Sequence, residues 1–209
     1  MSFTPEQIEQ NWVKFLTMCK HVGANRVDAV TEMCETLGER LALAPASSRL
    51  EHHNAFPGGL VDHSIRVLVN ARAISKALNI DLPLESLVTC ALFHDLGKVG
   101  SESEDTYVPQ DSFWHREKLG EMYKMNKKLQ YMTVPHRSLY LLQHFGITLN
   151  ADEYVAIMIH DGQHCSENKP YSMQEPMLAS IITMADFSAT KQEKELSVAK
   201  VSAEPQSNE

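Results

Sequence analysis

The chain has 209 residues, 43% of them hydrophobic, and a formal net charge of −8 from 19 basic and 27 acidic side chains. That length suits one domain with a sizeable core. No apolar run approaches the ~18 residues that span a bilayer, and the acidic balance excludes a generally basic surface of the kind that holds long nucleic acid.

Helical signals dominate from the start. Thr4-Pro5-Glu6-Gln7 reads as an N-cap followed by proline in the first turn, opening a helix to about Lys20. This segment carries charge throughout and is not patterned as a signal peptide. A second amphipathic helix spans Asn25 to about Leu43, and Ala44 to Gly59 is a loop punctuated by Pro45, Pro57, Gly58 and Gly59. Leu60 to Leu78 is helical, with Leu60, Val67, Leu68, Ala71, Ile74 and Leu78 on one side. Leu84 to Leu96 is apolar almost all round and reads as a buried helix. Val99 to Trp114 is polar and aperiodic, with Tyr107-Val108-Pro109 as its one strand-like piece; long stretches of this kind are often lids. Helices are predicted over Arg116–Met125, Pro135–Phe145, Ala151–His160 and Pro176–Ala189, followed by a polar tail from about 194 that reads as disordered. One all-α domain accounts for 46–193, with the helices of 1–45 packed on its core. Cys19, Cys34, Cys90 and Cys165 lack CxxC spacing and fit reduced thiols in a cytoplasmic protein.

The sharpest local feature is Phe93-His94-Asp95-Leu96-Gly97-Lys98, at the end of the most apolar helix. A carboxylate carried into the interior needs compensation, because an unpaired buried charge is costly. An ion pair or a helix cap would serve. So would a cation held by imidazole and carboxylate together, a ligand set suited to Zn, Mn or Fe. Four further residues have ligand-type positions. His63 lies on the apolar side of its helix, His136 follows Pro135 at a helix start, His160 ends the helix from Glu153, and Asp186 lies in an apolar helix. A single histidine at a helix end is more often a satisfied cap than a ligand. Several helices each delivering a ligand from an apolar face is the way bundles build metal sites.

The order His63, His94-Asp95, Asp186 resembles the signature of the HD-domain superfamily of metal-dependent phosphohydrolases, and His94-Asp95-Leu96-Gly97-Lys98 matches the frequent HDxGK form of its core motif. The resemblance covers roughly residues 50 to 190. The segment from His52-His53 through Gly58-Gly59-Leu60 to His63 resembles the HHAxxGGLxxH opening of HD domains in a bacterial 3′-to-5′ exoribonuclease family and in certain relaxases. The stretch from Trp114 through His136 to His160 resembles small stand-alone HD hydrolases of phages and bacteria.

The resemblance implies an HD-domain helical bundle around a metal site that holds divalent transition metal (Mn, Fe, Zn, Co or Ni). In the four-ligand form His63, His94, Asp95 and Asp186 hold one ion. In the extended form His136 and His160 hold a second, Asp95 bridges the two, and His164 is an alternative to His160. Two such ions clamp the attacking and leaving oxygens of a displacement at phosphorus. Lys98 reads as a phosphate clamp or as a cation favoured by the helix C-terminus. His53, Trp114, Arg116, Lys118, Tyr123 and His164 are candidates for a substrate-binding rim, and Gly58-Gly59 for close packing near the metals. The implied activity is hydrolysis of a phosphate ester of a nucleotide or small phosphodiester. The alternatives are a di-iron oxygenase on the same fold, a 3′-to-5′ exonuclease on short single strands, and a non-catalytic binding module. The expected partner is a small phosphate-bearing molecule rather than a membrane or long nucleic acid, and self-association is left open.

Overall fold

The computed structural model describes residues 2–203, with side chains through residue 196. Helix α1 (Pro5–Cys19) starts as its sequence dictates: Thr4 and Gln7 close a reciprocal capping box, and Pro5 sits where a missing N–H goes unnoticed. α2 (Val27–Leu43), α3 (Gly59–Ala77) and α4 (Leu84–Phe93) follow, then α5 (Phe113–Leu119), α6 (Val134–His144), α7 (Ala151–Met158) and α8 (Met177–Ala203). α3 is the axis of the bundle. It packs on α4 and α8 and buries Leu60, Val61, Ile65, Val67, Leu68 and Ala71. α4 is buried continuously from Ser86 to Phe93, so its all-round hydrophobicity is matched by neighbours on every side. One apolar cluster runs from Phe15 in α1 to Ala189 in α8. The first two helices therefore share a core with the helices that carry the histidines.

The architecture is all-α. The strands among the described residues are a short antiparallel pair, β1 (Tyr107–Pro109) and β2 (Tyr123–Met125), with Tyr107 opposite Met125 and Pro109 opposite Tyr123. β1 was legible as a strand. β2 replaces the second half of the helix expected over Arg116–Met125. That helix ends at Leu119 because Gly120 takes a left-handed conformation (φ 60°), with its N–H turned back to the carbonyls of His115 and Arg116. Such a glycine is a standard helix stop, and the chain then returns as a strand. The polar tail differs from expectation as well. α8 continues to Ala203, so 195–203 is helical, and only residues 204–209 lie outside the described part.

Two local constraints place the loop before α3. A Cβ on Gly59 would lie 2.2 Å from the Asn54 carbonyl oxygen, so only glycine lets the loop close over the start of the helix. Gly58 supplies the turn itself at φ 82°. The Asn54 side chain then donates to Asp62 Oδ2 at 3.0 Å, tying the loop to the first turn of α3.

A buried ion pair joins three elements at the far side of the bundle. Arg26 Nη1 lies 3.0 Å from Glu153 Oε1 and 3.1 Å from Thr89 Oγ1. The other Glu153 oxygen accepts the Asn150 N–H at 2.9 Å and closes the capping box of α7. The start of α2, the middle of α4 and the start of α7 thus meet on one carboxylate. Removing one member of such a pair leaves an uncompensated buried charge. Arg26→Met should lower the free energy of unfolding by about 3–5 kcal/mol. The double variant Arg26→Met/Glu153→Leu should recover part of that loss. Urea denaturation followed by helical circular dichroism checks both, and an unchanged midpoint in the single variant would contradict this role.

Candidate metal centre

Each ligand-type residue reaches the centre from a different helix. His63 sits one turn into α3. His94 and Asp95 follow α4 directly, where the chain tightens into a 3-10 turn at Leu96–Lys98. His160 follows α7, and Asp186 lies in the second half of the apolar stretch of α8. His63 and His94 are fully buried, and Asp95 and His160 nearly so.

The side chains converge. His63 Nε2 is 3.1 Å from Asp186 Oδ1 and 3.6 Å from Asp95 Oδ2. His94 Nε2 is 3.5 Å from the same Asp95 oxygen and 4.0 Å from Asp186 Oδ1. The other Asp95 oxygen faces His160 Nε2 at 3.3 Å. Lys98 Nζ lies 2.5 Å from Asp95 Oδ2. Three overlapping groups have ligand atoms close enough to share an ion: His53, His63 and Asp95; His63, His94 and Asp186; His94, Asp95 and His160. A cleft of about 410 Å³ opens onto them, lined also by Asp161, His164, Thr183 and Thr190.

The ring nitrogens show what this centre is shaped for. The outward Nδ1 atoms are all engaged: that of His63 lies 3.1 Å from Glu193 Oε1, that of His94 3.0 Å from the Ala91 carbonyl, and that of His160 2.8 Å from the Ile157 carbonyl. A proton held at Nδ1 leaves the Nε2 lone pair facing inward, which is how outer partners orient metal-binding imidazoles. The inward Nε2 atoms of His53, His63 and His94 are buried without a hydrogen-bond partner. Buried polar atoms are rarely left so, and a divalent cation would satisfy those of His63 and His94 together with the Asp95 and Asp186 carboxylates. The residues therefore fit a metal, with His63, His94, Asp95 and Asp186 as the set that would hold it.

Electrostatics follow from burial and crowding. Burial lowers His94 to about 4, and burial with the nearby Lys98 ammonium lowers His53 to about 3. Burial also works against the charged forms of His63 and His160. The Asp186 and Glu193 carboxylates nevertheless hold His63 at about 10, and Asp95 and Asp161 hold His160 at about 9. Burial opposes the charge on Asp95, but Lys98, His94 and His160 hold its carboxyl well below the usual range. Lys98 in turn is raised, because the carboxylate outweighs its own desolvation. Ligation at His63 would release its proton.

Not every expected residue joins the centre. His136 is exposed, bonds Thr133 Oγ1 through Nδ1 at 2.7 Å, and lines a separate groove with Tyr131 and Tyr140. Its place in the first turn of α6 faces it away from Asp95, so the expected role at a second ion does not fit its position. His160 rather than His164 meets Asp95; His164 is exposed at the cleft mouth. His53 turns inward, with its ring 4.7 Å from that of His63, whereas His52 is exposed. Trp114, Arg116 and Lys118 sit on α5 and do not line the cleft. Trp114 is 56% exposed, and Arg116 spends Nη1 on the Gln110 carbonyl at 2.6 Å.

Two residues that matter here were missed in the sequence. Ser138 of α6 accepts the Gly97 N–H at 2.8 Å and donates to the His94 carbonyl at 2.8 Å, clamping the turn that carries the motif. A Cβ on Gly97 would come within 2.4 Å of the Val134 carbonyl, so the glycine of that motif permits this close docking. Glu193 is the other. It is 2% exposed and stands seven residues, two turns, beyond Asp186 on the same face of α8. That spacing was the available signal. Its carboxylate also lies 3.4 Å from Arg66 Nε. Outer partners of metal-binding histidines are worth about 10–100-fold in affinity. Glu193→Ala should therefore weaken Mn²⁺ or Ni²⁺ binding by about that factor, with Glu193→Gln less affected because it still accepts from Nδ1. Competition with a chromophoric chelator measures this, and wild-type affinity in Glu193→Ala would refute it.

A family model described as the HD domain matches residues 60–186, from the start of α3 to Asp186. Comparisons with curated proteins and with solved structures return no match. The matched segment is more than half of the chain and runs through His63, His94-Asp95 and Asp186; the protein belongs to the HD domain family of metal-dependent hydrolases.

Proposed function

We propose that the chain hydrolyses a phosphate ester of a nucleotide or small phosphodiester at the Asp95 centre. The observation that carries this reading is the convergence of unpartnered Nε2 atoms and two carboxylates beside a buried ammonium, all at the floor of an open cleft. An ion held there supplies Lewis-acid stabilisation of phosphoryl oxygens and makes water acidic enough to attack near neutral pH. The protein's own groups do the rest. Lys98, held against Asp95, offers a fixed positive charge to a phosphoryl oxygen at the cleft floor. Thr183, Thr190 and His164 at the mouth offer donors for the remaining oxygens. His160, 3.3 Å from Asp95 Oδ1, is placed to hold or pass a proton at that oxygen.

This reading takes one ion, held by His63, His94, Asp95 and Asp186. The six-ligand set behind the two-metal form and the di-iron oxygenase alternative needs His136, whose exposed position on α6 counts against both. The net charge of −8 and the confined cleft favour a small substrate over extended single strands.

Phosphate release from a panel of nucleotides and short oligonucleotides, assayed with added Mn²⁺, tests the reading. Asp95→Ala should lose metal retention and turnover together. Lys98→Met should keep its metal and lose about 10²-fold in kcat/KM, the scale for removing one charge-stabilising donor. Turnover that survives in Asp95→Ala would overturn the site, and two equivalents of bound metal per chain would overturn the one-ion form.

A further inference from the structure

Lys98 lines two cavities. One is the metal cleft; the other, of about 380 Å³, lies on the side of the β1–β2 pair. Tyr107 and Tyr123 both line this second cavity, their rings 6.4 Å apart and inclined at 47°. Leu43, Pro45, Pro57 and Pro109 supply apolar wall. Its one arginine is already committed: Arg40 bonds Asp105 at 2.7 Å and reaches the Ser101, Glu102 and Val99 carbonyls. The exposed Glu39 lies at the rim. The cavity thus has flat apolar surfaces and a carboxylate at its rim, and Lys98, ion-paired to Asp95 on the cleft side, is the cation it shares with the metal cleft.

Resting on the phosphohydrolase reading above, we infer that this second cavity is the specificity subsite, where Tyr107 and Tyr123 hold a planar aromatic group of the substrate while Lys98 holds its phosphate. Stacking on tyrosine faces is sequence-tolerant and favours any base. With Arg40 and Asp105 paired to each other, the exposed Glu39 carboxylate disfavours further phosphates at that end, so the geometry selects a nucleoside monophosphate-like ester over a polyphosphate. Tyr107 is close enough to Lys98 to feel its charge: burial raises the phenol, and the ammonium pulls it back. Tyr107, Tyr123 and Lys98 line one cavity, so aromatic group and phosphate are read side by side.

The test separates this subsite from the hydrolase reading. Binding of adenosine 5′-monophosphate and of inorganic phosphate to the full chain, stripped of metal with a chelator, is measured by calorimetry. Turnover of an alkyl phosphate and of the nucleotide with Mn²⁺ is measured separately. The wild type should bind the nucleotide more tightly than inorganic phosphate. Tyr107→Ala and Tyr123→Ala should each lose about tenfold of nucleotide affinity, Tyr→Phe at either position should keep it, and phosphate affinity should not move. Leu43→Trp, which fills the cavity from α2 while leaving both tyrosines in place, should reproduce the loss and guards against misfolded tyrosine variants. Equal affinity for nucleotide and phosphate in the wild type, or unchanged nucleotide affinity in Leu43→Trp and both alanine variants, overturns the subsite. Absence of turnover with selective nucleotide binding intact would instead overturn the hydrolase reading and leave the subsite standing.

Discussion

The structure is organised around a single buried carboxylate. Asp95 is ringed by the imidazoles of His63, His94 and His160 and by the Lys98 ammonium, all within 3.6 Å of its oxygens. In water such a group would be solvated from every side. Here the protein substitutes fixed donors and, when loaded, a cation, and each helix must arrive at a set angle to supply its share. The bundle geometry follows from that requirement. α3, α4, α7 and α8 each bring one or two groups to the same point, while α1 and α2 join the same apolar core.

Rigidity of the centre comes from contacts one layer out. Glu193 holds the ring of His63, two backbone carbonyls hold those of His94 and His160, and Ser138 fixes the turn between His94 and Gly97. None of these groups touches the position of an ion. They decide which nitrogen faces it and how little the ligands can wander, which is where much of a metal site's affinity resides.

Much of this was legible in the sequence, for identifiable reasons. An apolar run ending in His94-Asp95 marks a buried charge, and a buried charge demands partners, so His63, His160 and Asp186 could be sought on other apolar faces. The helix start with its cap at Thr4 was equally plain. What escaped depended on direction rather than composition. His136 has the sequence context of a ligand, yet its place in the first turn of α6 faces it outward. Glu193 stands just before the polar tail and looked like one more surface charge, although its spacing of two turns from Asp186 was there to be read. The short strand Tyr123–Met125 was hidden by flanking helix formers, and only the left-handed Gly120 redirects the chain.

The carbonyls of Ala91 and Ile157 lie in the last turns of α4 and α7, where backbone acceptors have no partner within the helix. His94 and His160 satisfy them from three residues downstream. These two histidines are therefore also the stoppers of the helices that present them, and those hydrogen bonds do not depend on an ion. Unlike a small zinc module, whose chain collapses when its metal is withdrawn, this protein builds its cage as part of ending two helices. The cation therefore meets side chains that helix-end hydrogen bonds already hold in place, and by binding only the folded chain it adds to its stability by mass action.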